Sequence, residues 1–281
     1  MSAIAETTTT PAQPAHVRTY TGRVTLAHVL KAEWTKLWTL RSTRWSLLVS
    51  FIAMAGLGPL IAAVQMSRWS QLHLHDRLTY DSINTAVGGY HLAQLTIGVL
   101  GVLVISGEYT TGMIRSSLMA VPRRLPVLWA KILVFAVVTF VLMLLASLIS
   151  FFAVQAIVTQ HHVQHGIGDP GALRTVLGGA LYLTVLAVMC VGIGGILRNT
   201  AGGIATFVFL LFVLPGISAI LPSSVDNAIS PYLPLNAATT IASHRFDNTH
   251  HLAVWAGFAL FCGYTLVALV GAAVSLLRRD A

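Results

Sequence analysis

The amino-acid sequence predicts an all-α integral membrane protein, with six transmembrane helices and an amino-terminal interfacial helix. Three observations carry this. Of the 281 residues, 56% are hydrophobic and only 9% charged, against about 25% charged in soluble domains, and mean hydropathy is +0.77. The apolar residues fall into long charge-free stretches. The cations gather at the ends of those stretches. A soluble fold cannot hide so much apolar surface, so lipid must act as the solvent.

The stretches are Trp45–Gln65, Gly88–Gly107, Ile132–Thr159, Thr175–Leu197, Asn199–Leu221 and Leu252–Leu277. Each has roughly 20 residues or more, enough to cross about 30 Å of hydrocarbon at about 1.5 Å per residue. The third is the longest and is expected to tilt or to project from the bilayer. The fourth and fifth are divided only by Arg198 and Asn199. Gly56, Gly58, Pro59, Pro215 and Gly216 lie within spans, where they predict close packing or kinks.

An even number of spans leaves both termini on one side. Arg68, Arg77, Arg174 and Arg245 fall on the other side, and the remaining 13 of the 17 Lys and Arg fall on the terminal side. The positive-inside rule therefore predicts cytoplasmic termini in a multi-pass protein of a bacterial inner membrane. The same distribution explains the net charge of +8 as topology. Nucleic-acid binding is not indicated, since no basic stripe interleaved with aromatics is present. Cys190 and Cys262 lie in apolar runs and read as packing residues. Residues 1–22 are polar and rich in Thr, Ala and Pro. They read as a disordered cytosolic tail with no cleavable signal peptide, leaving residues 23–280 as one membrane domain.

Ahead of the first span, residues 24–40 predict an interfacial helix. Leu26, Val29, Leu30, Trp34, Leu37 and Trp38 recur at helical spacing and predict one apolar face, with the tryptophans at headgroup level. Glu33 falls inside that stripe. It either pairs locally with Lys36 three residues on, or it contacts a partner protein.

Between the second and third spans, residues 107–124 carry Gly107-Glu108-Tyr109-Thr110-Thr111-Gly112-Met113-Ile114-Arg115-Ser116-Ser117-Leu118, then Val121-Pro122-Arg123-Arg124 and Lys131 beyond. On a continuous helix Glu108 and Arg115 share a face. Read by residues alone, the segment is an interaction surface or an ordinary basic loop.

The pattern Glu108-x-x-x-Gly112-x-Ile114-Arg115, followed by Leu118, Pro122, Arg123 and Lys131, resembles the inner loop of type-2 ABC transporter permeases. Ala32-Glu33-Trp34-Thr35-Lys36-Leu37 and Arg41-Ser42-Thr43-Arg44 resemble the interfacial helix of actinobacterial members. Pro231-Tyr232-Leu233-Pro234-Leu235-Asn236 resembles part of the family's outer re-entrant region, here 222–250. Thr111-Gly112-Met113 departs from the family, where many members have a basic residue, Gly and Thr. That bears on partner choice and not on class.

The resemblance implies a permease subunit of an ABC exporter that moves a small or amphipathic substrate outward. Glu108, Gly112, Arg115, Leu118 and Arg123 would form the contact with a cytosolic ABC ATPase, supported by Glu33 and Lys36. ATP and Mg would sit on that ATPase, with no cofactor on this chain. A second permease copy, identical or paralogous, would complete the unit.

No phosphate-binding G-x-x-x-x-G-K-[ST] loop is present, so the chain is not expected to be an enzyme. No acid, Lys or Arg lies within the six stretches, which disfavours an ion-coupled carrier. Zincin and hydrolase motifs are absent as well. His73, His75, His161, His162, His165, His250 and His251 lie in outer loops. They are either solvated loop residues or an outer metal or pH-sensing site, and no spacing matches a closed zinc site. Gln94, Thr96 and Gln155 are polar within spans; they either bond helices together or line the substrate path. The alternative to a transporter is a non-transporting membrane anchor or immunity-type protein.

Overall fold

The computed structural model describes residues 25–113, 124–244 and 251–278. The helices are α1 (Leu26–Thr39), α2 (Arg41–Ser67), α3 (Leu74–Thr79), α4 (Ser82–Val87), α5 (Tyr90–Thr110), α6 (Arg124–Val158), α7 (Ala172–Leu197), α8 (Thr200–Val208), α9 (Leu214–Ser218), α10 (Ser223–Ile229), α11 (Pro234–Thr239) and α12 (Val254–Arg278). Six helical stretches are long and apolar enough to cross a membrane: 41–67, 82–110, 125–161, 172–197, 200–218 and 254–278. The described residues contain no strand.

The end of the bundle that carries α1 and the carboxyl end of α12 is termed the base, and the opposite end the far end. Helix α7 is the hub, packed on α5, α6 and α12. Its Tyr182, Leu183, Leu186 and Cys190 are fully buried, against Phe135 of α6, Leu100 of α5 and Phe261 of α12. Helix α6 is the longest at 35 residues, about 52 Å, so it projects past a hydrocarbon layer about 30 Å thick. Leu133, Val137, Val141, Leu145 and Ile149, one residue in four, form an exposed stripe along it. Such a stripe on a helix buried on its other side is a lipid-facing surface.

The division between the fourth and fifth spans is sharp. Arg198 adopts a left-handed conformation (φ 52°) and ends α7, and the Asn199 side chain accepts from Gly202 N–H to cap α8. Within the fifth span a π-helical turn, Phe209–Val213, joins α8 to α9 just ahead of Pro215. Pro215 has no N–H to offer the preceding turn, and a widened turn accommodates its ring.

Along helix α1 the bundle covers part of the apolar stripe. Val29, Glu33 and Leu37 are buried, with Val29 against Val127 and Ala130 of α6, while Trp34 and Trp38 beside them are exposed, their ring centroids 5.8 Å apart.

At the far end, the chain between α9 and α12 folds into short helical pieces. Ala237, Ala238, Ile241 and Ala242 of this segment are buried against the bundle. Its approach to α7 requires glycine at 178, because a Cβ there would collide with the Ile241 carbonyl oxygen.

Candidate functional site

The charges of the base converge. The buried face of α1 carries Glu33 between Val29 and Leu37, so its carboxylate points at α6. Glu108 occupies the last turn of α5. Lys131, four residues after Val127, shares the inward face of α6. Lys36 stands one turn beyond Glu33.

The four close into an alternating ring. Lys36 Nζ lies 2.7 Å from Glu33 Oε1 and 2.9 Å from Glu108 Oε1. Lys131 Nζ lies 2.6 Å from Glu33 Oε2 and 2.8 Å from Glu108 Oε1. Each cation touches two anions and each anion two cations, so the formal charges cancel. Side-chain exposure is 5% for Glu33, 6% for Lys131, 9% for Glu108 and 25% for Lys36. Burial alone would lower the pKa of Lys36, but its hydrogen bond to Glu33 and the charge of Glu108 outweigh burial and raise it above 10.5. Glu108 Oε2 is buried and has no hydrogen-bond partner among the described residues. The sequence offered local pairing of Glu33 with Lys36 as one alternative; that pair exists, and Lys131, 98 residues away, completes it.

Helix α5 ends just past Glu108. It stops at Thr110, and Gly112 takes φ +72°, a left-handed position suited to glycine. The helix that carries Glu108 therefore ends before Gly112. Glu108 belongs to the end of a span, and Gly112 turns the chain away from that helix. Arg115, Leu118 and Arg123 lie outside the described residues.

Two further ties close the base. The Arg198 guanidinium donates to the Ser275 carbonyl of α12 at 2.6 Å and sits 4.8 Å above the Tyr109 ring. Ser106 and Thr200 hydroxyls lie 2.9 Å apart. Beside the ring of charges is a cavity of about 250 Å³, walled by the tetrad and by Leu37, Leu40, Leu100, Leu103 and Val104.

The polar residues within spans are engaged elsewhere. Tyr182 Oη donates to Gln94 Oε1, joining α7 to α5. Thr96 Oγ1 lies 2.6 Å from Ser50 Oγ of α2. Gln155 Oε1 accepts from His165 N–H at 2.8 Å and from Ser82 Oγ at 3.2 Å. His73, His75, His161, His162, His165 and His251 form no cluster that could hold a metal among the described residues, and His250 lies outside them. Cys190 is buried and Cys262 half-buried, both as free thiols.

A family profile described as "ABC-2 family transporter protein" matches residues 29–216, well over half the chain. The chain belongs to the ABC-2 transporter family. The match contains all four charges of the tetrad. The comparison with curated proteins finds no match. The protein is thus a multi-pass permease, a non-catalytic subunit whose family implies an ABC ATPase as partner.

Lys131 is the residue that sequence reading undervalued. It entered as a cation of the loop and as a motif neighbour. Its signal was position: it directly precedes the apolar run beginning at Ile132, too deep for a solvated loop residue. Asp81 and His244 at the far end were missed as partners, because 163 residues separate them.

Proposed function

We propose that this permease is the membrane subunit of an ATP-driven exporter, moving a small or amphipathic cargo outward with energy from a separate ATPase that holds ATP and Mg. The base faces the cytoplasm of a bacterial inner membrane, as the weight of Lys and Arg on that side supports. Residues 1–22 form a cytosolic tail, 24–40 the interfacial helix, 107–124 the coupling loop and 222–250 an outer re-entrant region. A second permease copy, identical or paralogous, completes the assembly.

The observation that carries this reading is the charge tetrad. It ties the end of α5 to α1 and α6 immediately before Gly112. A push on the segment after Gly112, delivered through Arg115, Leu118 and Arg123, then reaches two spans and the interfacial helix together. Buried paired charges resist separation, since parting them strands a charge out of water. Such a joint moves as a unit. Gln94, Thr96 and Gln155 hold helices together in this scheme, consistent with their hydrogen bonds, and do not contact cargo.

Glu108→Gln tests the scheme, because it keeps the shape and removes the charge shared by both lysines. The expected outcome is normal insertion with transport reduced about tenfold or more, and an ATPase rate no longer responsive to cargo. Wild-type efflux in both Glu108→Gln and Arg115→Ala would remove the coupling role. No transport by the wild-type complex with any ATPase would instead support the anchor or immunity-type reading.

A further inference from the structure

The far end holds a second long-range polar junction, built around His244, which closes the segment following α11. Its backbone N–H donates to Asn84 Oδ1 of α4 at 2.7 Å. Its Nδ1 lies 2.8 Å from Asp81 Oδ2, and its Nε2 lies 3.1 Å from the Pro170 carbonyl oxygen in the α6–α7 loop. Three separate parts of the chain meet on one imidazole. The side chains of His244 and Asp81 are 12% and 10% exposed, so the junction is packed yet within reach of solvent.

Proton counting decides what this geometry requires. The Pro170 carbonyl can only accept, so Nε2 must carry a proton. The gap between Nδ1 and Oδ2 needs another. A neutral histidine beside an ionised aspartate supplies one proton for two gaps. Both contacts are hydrogen bonds only when the pair has taken up an extra proton, as an imidazolium facing a carboxylate. Histidine is the side chain whose charge ordinarily changes between about pH 5 and pH 8.

The surroundings are compatible with that state. Asp81 is held in place by its other oxygen, Oδ1, which caps α4 through Ile83 N–H and Asn84 N–H at 2.9 and 3.2 Å. Tyr80 precedes it, and burial pushes that phenol up, so it stays neutral. Among the described residues, the Arg174 guanidinium flanks Gly171 together with the His244 ring and is a cation on that side. The His165 ring lies 6.4 Å away, engaged with Ser82 Oγ at 2.9 Å. Asp169 in the same loop is turned to Gly166 N–H.

We propose that the His244–Asp81 pair is a proton-binding latch. With the proton bound it fastens the segment after α11 to α4 and to the α6–α7 loop; without it, one of the two side-chain bonds is lost and the segment loosens. The direction from which protons arrive, the cell exterior, rests on the orientation proposed above. The latch itself does not.

The test separates the two. Backbone hydrogen exchange of residues 237–244 is followed in the purified full-length permease in lipid nanodiscs between about pH 5.5 and pH 8.5, corrected for intrinsic rates. Protection is expected to be about tenfold greater at the acidic end, the loss of one charge-assisted hydrogen bond. Asp81→Asn keeps an oxygen to cap α4 and His244→Gln keeps a donor for Pro170. Each should fold and abolish the pH difference. A pH difference that persists in both variants, or none in the wild type, overturns the latch. In cells, transport should follow external and not cytoplasmic pH. If it followed cytoplasmic pH while exchange behaved as expected, the latch would stand and the orientation would fall.

Discussion

At the base, two carboxylates and two ammonium groups hold α1, α5 and α6 together; at the far end, one histidine and one aspartate hold α4, the α6–α7 loop and the segment after α11. Both junctions join residues far apart in sequence with contacts of 2.6–3.1 Å. They differ in what can undo them. The tetrad sets two carboxylates against two ammonium groups, and parting them strands charge away from water. The histidine junction needs a proton that the medium can withdraw. The bundle thus carries a joint of paired charges at one end and a joint built on a histidine at the other.

Several substitutions bear on this contrast. The largest effect is expected from Lys131→Met, which leaves Glu33 and Glu108 facing each other with only Lys36 between them. Removing one member of a buried set costs about 3–5 kcal/mol, readable as a drop in thermal midpoint in nanodiscs. Adding Glu33→Gln to Lys131→Met should recover part of that loss, because one stranded carboxylate is removed with its partner. If the double variant is no more stable than the single, the ring is not a coupled unit.

Lys36→Met should cost less, about 1.5 kcal/mol, since the lysine is a quarter exposed and Lys131 still bridges both acids. The sign of its pH dependence follows from its raised pKa. Its contribution is complete below the unfolded value and is lost only as pH climbs through the folded value, above 10.5. The contribution of Lys36 should therefore be flat between about pH 6 and pH 9, the range in which protection at the far end changes. A base that weakened in step with the far end would erase the distinction between them.

The smallest effect is expected at Thr96→Val, which removes the hydroxyl pair with Ser50. Interhelical hydrogen bonds in membranes average about 0.6 kcal/mol. Transport should be unaltered, and a change in cargo preference would return Thr96 to the substrate path.

Much of the architecture was legible in the residues. The six spans appear where charge-free runs predicted them, with ends shifted by up to about two turns. The break at Arg198 and Asn199 appears as a left-handed cap followed by an asparagine cap. Glu33, Lys36 and Glu108 were picked out by their positions, one inside an apolar stripe and one at a span's edge. What escaped was the partnership of Lys131 with both acids, the end of α5 at Thr110, and which part of the apolar stripe of α1 the bundle covers. Helical periodicity places Trp34 and Leu37 among the same apolar residues, and only the position of α6 decides which of them it covers.

The sequence by itself determined that six runs are long and apolar enough to cross a membrane as helices, because hydrocarbon leaves no water to satisfy an open backbone. It also determined which side carries the cations. The tertiary structure alone decided which charges meet and which histidine finds a carboxylate. Such contacts depend on the rotation and depth of each helix, and these are settled by packing, at Gly178 against Ile241 and across the α7 hub. Lipid rewards any apolar face equally, so hydropathy cannot choose between rotations; close packing and the cost of an unpaired buried charge do.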